Sequence, residues 1–280
     1  MRQEWILLTA GLGSADMQSA ARRVARDASR LAIFSQVVVL TNDNLEELCP
    51  TISFKYRNIL NSRIRGFGYM CWKAEIVYRF LKKNNGKRGV VWIDAGCEVS
   101  PSIITRLRLV KNLHEAKRRG YLFFNLDTKE SSYTKRELFC EFPSLDFLDS
   151  EPQAQTTFFA LIGPVGLKIA ARWFEIIAKS EFNFNEETKS KQLPQFIEHR
   201  HDQSVFSLAL KEAGYTANLR PLRNGRGKLF SKVLTFIFDP IIASRNRTGE
   251  SIAPRLIKLV GIKTLRIFGE SPQNKRQKCQ

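Results

Sequence analysis

Short apolar runs alternate along the chain with segments whose apolar residues recur at helical spacing. Trp5 to Thr9 reads as a buried strand, Ala15 to Leu31 as a helix of small and basic residues, and Val37 to Thr41 as a second buried strand. Strand, helix and strand with short joins make a βαβ unit, so a parallel sheet is expected, with Asn42-Asp43-Asn44 turning the chain. Tyr69 to Lys83 has a helical pattern with a basic last turn. Val90 to Ile93, Tyr121 to Leu126 and Gln155 to Ile162 read as further strands, and Ile103 to Arg119 as an amphipathic, very basic helix. The polar and aromatic stretch from Lys129 to Asp149 suits an excursion over the functional face. A helix starting at Pro164 or Gly166 runs to Ser180, a charged loop fills Glu181 to Lys191, and a last helix spans Asp202 to Ala213. Asp202 is placed to cap that helix and Gly214 to close it. The pattern predicts an α/β protein.

The Val90 to Ile93 run ends on a lone carboxylate, Asp94, followed by Ala95, Gly96 and then Glu98. Burying a carboxylate without a partner is costly. Ligands of open α/β sheets bind outside the carboxyl ends of the strands. Asp94 is therefore a candidate site residue, and the small Ala95 and Gly96 let a ligand approach the backbone. A strand running into Asp-Ala-Gly is also the composition of an ordinary turn. Gly11-Leu-Gly13 lacks the third glycine of a dinucleotide fingerprint and carries little weight.

With 43% apolar and 11% aromatic residues, the 280-residue chain can bury a substantial core, which excludes a disordered protein. Forty-five Lys/Arg against 27 Asp/Glu give a net charge of +18. That excess favours anionic partners: nucleic acid, anionic lipid, a phosphorylated substrate or an acidic glycan. The five cysteines are scattered without CxxC spacing, which argues against a zinc ribbon or a disulfide scaffold and fits a reducing compartment. The N-terminus lacks the basic start and long apolar core of a signal peptide, and no window approaches the ~20 apolar residues of a spanning helix. A cytoplasmic protein, soluble or peripheral on the inner face of the plasma membrane, is expected.

Three segments stand out together: Arg65-Gly-Phe-Gly-Tyr-Met-Cys-Trp-Lys73, Ile93-Asp-Ala-Gly-Cys-Glu98 and Arg200-His-Asp-Gln-Ser204. In this order the chain resembles bacterial glycosyltransferases of the GT-A type associated with capsule and lipopolysaccharide synthesis. The resemblance covers residues 1 to 215, and Ala74 departs from it where the family usually has proline. It implies a GT-A (Rossmann-like) fold over residues 1–217: a mixed, mostly parallel sheet flanked by helices. It implies a hexosyltransferase that moves a sugar from a nucleotide-sugar donor, UDP-linked by default, to a glycan or lipid-linked acceptor in cell-surface polysaccharide synthesis. By position it seats the nucleotide base at Thr9 and Ala10, and the nucleotide sugar on Arg65, Lys73, Asp94, Ala95 and Gly96. Asp202 and Gln203 would then meet the transferred sugar. Asp202 would accept sugar hydroxyls or act as base, and Gln203 would donate and accept.

GT-A enzymes commonly hold Mg²⁺ or Mn²⁺ with an Asp-x-Asp triplet. Here the triplet is Asp94-Ala-Gly96, so the second carboxylate is missing. Glu98 shares the strand parity of Asp94 and faces the same side if the chain stays extended. With Asp94, and with His201 or Asp202 completing the set, it makes the expected site for Mn²⁺ or Mg²⁺. Without a metal, Lys73 and Arg65 are the cations that would meet the diphosphate.

Residues 220 to 280 carry fourteen Lys/Arg against three Asp/Glu, interleaved with LFSKVLTFIF and PRLIKLVGIKTLRIF. The segment 218–280 reads as a basic amphipathic helical extension with a disordered SPQNKRQKCQ end. It would either lie on an anionic membrane surface or pack as helices on the catalytic domain. Two other readings stay open. The net charge motivates a nucleic-acid-binding protein, although no recognised RNA- or DNA-binding motif is present. The missing carboxylate motivates a non-catalytic GT-A scaffold.

Overall fold

The computed structural model describes residues 4–61, 63–100, 102–145, 151–215 and 239–250. Along the chain come β1 (Trp5–Ala10), α1 (Ala15–Ser29), β2 (Gln36–Leu40), α2 (Leu45–Leu48), α3 (Pro50–Lys55), the single turn α4 (Gly66–Tyr69), α5 (Trp72–Lys83) and β3 (Gly89–Ile93). Next are β4 (Glu98–Val99), α6 (Ile103–Arg119), β5 (Tyr121–Leu122), β6 (Asn125–Lys129) and α7 (Glu130–Tyr133). The chain continues through β7 (Pro152–Ala154), β8 (Phe158–Leu161), α8 (Gly163–Lys179), α9 (His201–Glu212) and β9 (Ile241–Ile242).

The central sheet has five strands in the order β2-β1-β3-β8-β5. β2, β1 and β3 pair in parallel, whereas β8 runs antiparallel to both β3 and β5. Only β8 is reversed, so this is the mixed, mostly parallel α/β sheet that was expected. Every residue of β1 and β3 is buried, which is why both read as continuous apolar runs rather than alternating ones. On one face Leu7 and Val91 pack with Val24 of α1 and with Leu109 and Leu113 of α6. On the other, Leu8, Trp92 and Phe159 pack with Ile76 of α5, Trp173 of α8 and Phe206 of α9.

Three local expectations need correction. Tyr121 to Leu126 is not one strand: β5 stops at Leu122, and the chain leaves the sheet to pair β6 with β7. The polar Asn125-Leu-Asp-Thr-Lys sequence suits that half-exposed ribbon. The helix expected from Tyr69 starts at Trp72, because Gly66, Phe67, Gly68, Tyr69 and Met70 all hold positive φ (60°, 53°, 85°, 57° and 60°). Asp202 does not cap α9: the cap position is Arg200, without a side-chain cap bond, and the helix begins at His201 with φ 51°.

Most of the expected C-terminal extension, 216–238 and 251–280, lies outside the described residues, including its apolar segments and its expected disordered end. The described part, 239–250, is built into the main body rather than appended to it. β9 pairs antiparallel with β4, Glu98 opposite Ile242 and Val99 opposite Ile241. Buried Arg23 of α1 donates to the carbonyls of Ala95 (2.8 Å), Asn246 (3.0 Å) and Thr248 (2.9 Å). Residues 239–250, beyond the expected boundary at 217/218, are thus hydrogen-bonded to β4 and α1. Among the described residues no helix is long and apolar enough to cross a membrane.

Candidate active site

The RGFGYMCWK segment folds as a left-handed turn that leads into a right-handed helix. L-residues in that conformation cost roughly 1–2 kcal/mol each, and glycine escapes the penalty. Gly68 is required twice over, since a Cβ there would also come within 2.7 Å of Leu60 Cδ2. The turn is held by Tyr69 N donating to Arg65 O (2.8 Å) and Met70 N to Gly66 O (3.2 Å). Trp72 Nε1 reaches back to Phe67 O (3.1 Å). Lys73 follows in the first turn of α5, pointed into the protein.

The Lys73 side chain is only 1% exposed. Its Nζ donates to Asp94 Oδ1 (3.1 Å) and Thr156 O (3.4 Å), lies 3.4 Å from Asp202 Oδ2, and sits 5.1 Å from the centre of the Trp92 ring. Burial disfavours the ammonium, but the charges of Asp202 and Asp94 outweigh it and hold its pKa above the ordinary lysine value. The three motifs, far apart in sequence, thus meet at one nitrogen. Lys73 is not the diphosphate cation that was expected, because it is enclosed by two carboxylates.

Asp94 sits where β3 ends, its N–H donating to Thr157 O (2.9 Å). Its Oδ1 accepts from Trp92 Nε1 (2.6 Å) as well as from Lys73, while the side chain remains 34% exposed. No partner for its Oδ2 occurs among the described residues. Oδ1 is anchored while the side chain stays partly exposed, an arrangement suited to receiving hydroxyl or amide donors from a ligand.

Asp202 is fully buried in the first turn of α9, and neither of its oxygens has a hydrogen-bond partner among the described residues. Burial pushes its carboxyl up to about 6, and the Asp94 charge adds to this against the opposing pull of Lys73. A fully buried carboxylate with an ion-pair partner but no hydrogen bond is a functional-site candidate. Fully buried and paired with Lys73, Asp202 does not present the open carboxylate expected to accept sugar hydroxyls or act as base. Gln203 is also engaged, its Nε2 donating to Gln153 Oε1 (2.6 Å). Gln153 in turn donates to buried Glu130 (3.2 Å), which also accepts from Ser207 and Lys211 (2.5 Å each) and from Thr134. This network fixes α9 against the β6–β7 ribbon.

The expected metal ligands do not converge. The chain turns at Ala95-Gly96, with Cys97 N donating to Asp94 O (3.0 Å), so strand parity is broken. Glu98 is buried on the α1 side, paired with Arg23 Nη1 (2.6 Å) and accepting from Asn246 Nδ2. The His201 Nδ1 hydrogen bonds to Phe184 O (2.9 Å) and its ring lies 4.6 Å from that of Tyr69. Burial lowers the His201 pKa to about 4. Among the described residues no three His, Cys, Asp or Glu side chains gather as a metal site. Asp94 and Glu98 with His201 or Asp202 therefore do not fit Mn²⁺ or Mg²⁺ as a set.

The remaining expected residues lie around the sheet's carboxyl edge. Thr9 and Ala10 are buried at the end of β1, and Thr9 Oγ1 has no hydrogen-bond partner among the described residues. The Ala95 carbonyl accepts from Arg23, and that of Gly96 accepts from Asn246 N (3.0 Å) and Ser244 Oγ (3.1 Å). Arg65 is exposed and paired with Glu198 at 3.0 Å, tying the first motif to the approach of the third. Beyond β2 lies a cavity of about 320 Å³ lined by Asn42, Asp43, Glu46, Arg57 and Phe67.

Several contributors were not foreseen. Trp92 was legible in principle, being two positions before Asp94 and hence on the same strand face. Arg23, Asn246 and Gln153 left no local signal, because each acts across a long stretch of chain. Arg245 is another: it is exposed, holds φ 58°, and its Cα would lie 3.5 Å from a Cβ on Gly96.

No family model matches the chain, and no curated protein matches it. Solved structures similar to it include a glycosyltransferase involved in the glycosylation of the major capsid of PBCV-1. That match has a TM-score of 0.42 at 8% identity and covers 92% of this chain and 100% of that one. Another is mouse xyloside xylosyltransferase 1 in its apo form, with a TM-score of 0.38 at 12% identity, covering 88% of this chain and 99% of that one. Likenesses this distant bear on neither substrate nor mechanism, and the functional reading rests on the site's own geometry.

Proposed function

We propose that the protein is a glycosyltransferase of the GT-A type, taking a sugar from a nucleotide-sugar donor to a glycan or lipid-linked acceptor. One observation carries this reading: the three motif segments converge on the Asp94–Lys73–Asp202 array at the carboxyl edge of the sheet. Asp94, partly exposed, would accept the donor's hydroxyls. Lys73 holds its anchored oxygen and Asp202 pairs with Lys73, so both act through Asp94 as positioning residues. The unpartnered Thr9 hydroxyl and the cavity beyond β2 support a place for the nucleoside. β2 and β3 are two strand spacings apart, about 10 Å, which suits the reach of a nucleotide sugar. Arg65 and Arg245, both exposed, are the cations proposed to meet the diphosphate as negative charge builds on it. UDP is the default nucleotide, and cell-surface polysaccharide synthesis the proposed setting.

Thermal unfolding with UDP-, GDP- and CMP-sugars, each with and without Mn²⁺, followed by detection of released nucleotide, tests the proposal. A ligand at a hundred times its Kd adds about 2.7 kcal/mol of stability. A shift with one nucleotide class, accompanied by turnover, is expected. Binding without turnover under any condition would point to a non-catalytic scaffold. A salt-sensitive shift with RNA alone would point to a nucleic-acid-binding protein.

A further inference from the structure

We propose that the N-terminal half of α6 seats the protein on an anionic bilayer surface. α6 buries Thr105, Leu109, Leu113 and Ala116 against the sheet. Its opposite side leaves Ile103 and Leu107 each 63% exposed and Ile104 39% exposed. Ile103 and Leu107 are four residues apart, so they form one stripe. Isolated surface apolar residues need no explanation, but a cluster on one helix does. The large exposed apolar residues described are Phe54, Ile103, Ile104, Leu107 and Ile197, so most of them fall on this one helical turn.

The flanks of the stripe are cationic. Arg106, Arg108 and Lys111 are exposed beside it, and Lys117, Arg118 and Arg119 continue the helix. Its one carboxylate, Glu115, is paired with Arg118 (2.8 Å) and Arg119 (2.6 Å). Apolar side chains bordered by cations are what a helix lying in an anionic interface presents: the first enter the acyl boundary and the second meet lipid phosphates. Nucleic acid would use the cations but leave Ile103 and Leu107 in water, and α6 has no Phe, Tyr or Trp on which bases could stack.

The position of the helix gives the contact a purpose. α6 carries the crossover from β3, through β4, back to the start of β5, which runs parallel to β3. Its N-terminal end therefore lies at the same sheet edge as Asp94. A bilayer under Ile103 and Leu107 would bring a membrane-embedded acceptor towards that edge. The docking itself does not depend on the proposed chemistry.

The test is co-flotation of the full chain with vesicles of phosphatidylglycerol and phosphatidylcholine against phosphatidylcholine alone. Binding to the anionic vesicles is expected to weaken about tenfold or more in Ile103→Ser/Leu107→Ser, and by a similar factor in Arg106→Gln/Lys111→Gln. These side chains are exposed, so both variants should melt like the parent. Leu107→Trp supplies an insertion reading, because the four native tryptophans are at most 5% exposed. The introduced indole should blue-shift with anionic vesicles. Unchanged flotation of the Ile103/Leu107 variant would overturn the proposal. So would an indole that stays at its aqueous wavelength, or oligonucleotide binding that depends on the cations but not on the apolar pair.

Discussion

Tyr69 and His201 lie ring to ring, 4.6 Å between centroids, and each holds a left-handed backbone, with φ 57° and 51°. Tyr69 stands four residues before Lys73, and His201 directly before Asp202. The two left-handed residues are thus joined by a ring contact close in sequence to Lys73 and Asp202, whose charged groups lie 3.4 Å apart. Strain of this kind persists only where the surroundings over-determine it, and it concentrates at functional sites. A double-mutant cycle of Tyr69→Ala and His201→Ala should give a coupling of about 0.5–1.5 kcal/mol in urea unfolding. Additive losses would show that the two rings act independently.

Gly68→Ala should destabilise the protein by at least about 1–2 kcal/mol, from left-handed strain alone. The approach of the new Cβ to within 2.7 Å of Leu60 Cδ2 should add to it. Chemical denaturation measures the loss. A neutral substitution would mean that this turn does not hold the described conformation.

Removing the central cation should be more damaging. Lys73→Met leaves Asp94 and the fully buried Asp202 facing each other, and breaking a buried pair costs about 3–5 kcal/mol. Adding Asp202→Asn should restore much of the loss, because it removes the uncompensated charge. If the double variant melts no higher than Lys73→Met, Asp202 is not the group that Lys73 neutralises.

Asp94 offers a different profile. Lys73 keeps Asp202 as a counter-charge in Asp94→Asn, so this variant should lose less stability than Lys73→Met, the loss reflecting the one ion pair removed from buried Lys73. Loss of a charged contact at the reacting centre should lower kcat/KM about 10²–10³-fold. Retained transfer activity would place the chemistry elsewhere.

Stability should respond to pH through opposing groups. The Asp202 carboxyl is raised from 3.8 to about 6, so the folded state binds this proton more tightly than the unfolded state. Its contribution therefore falls as pH rises through that window. His201 is lowered from 6.5 to about 4, and burial lowers His199 as well, so folding loses stability as pH falls from 6.5 through about 4. Asp202→Asn removes the opposing effect and should steepen the acid-side loss. Superimposable stability curves for parent and variant would sink this assignment.

The apolar runs of β1 and β3 made the sheet legible, because strands buried on both faces need no polar alternation. The lone Asp94 at a strand end was legible for the same reason. Glu98 was misplaced because parity holds only in an extended chain, and the Ala95-Gly96 turn reverses the face. Lys73 was read as a cation for the diphosphate because sequence shows charge but not enclosure.

The sequence by itself determined the α/β layering and the strand that ends in Asp94. These follow from the periodicity of burial. Only the tertiary structure decided that Lys73 stands between two carboxylates, that Arg23 holds Glu98 and the carbonyls of Asn246 and Thr248, and that α6 leaves an apolar stripe in the open. Those outcomes depend on which distant side chains arrive at the same point. No local pattern encodes that, because electrostatic pairing and burial are properties of the assembled packing.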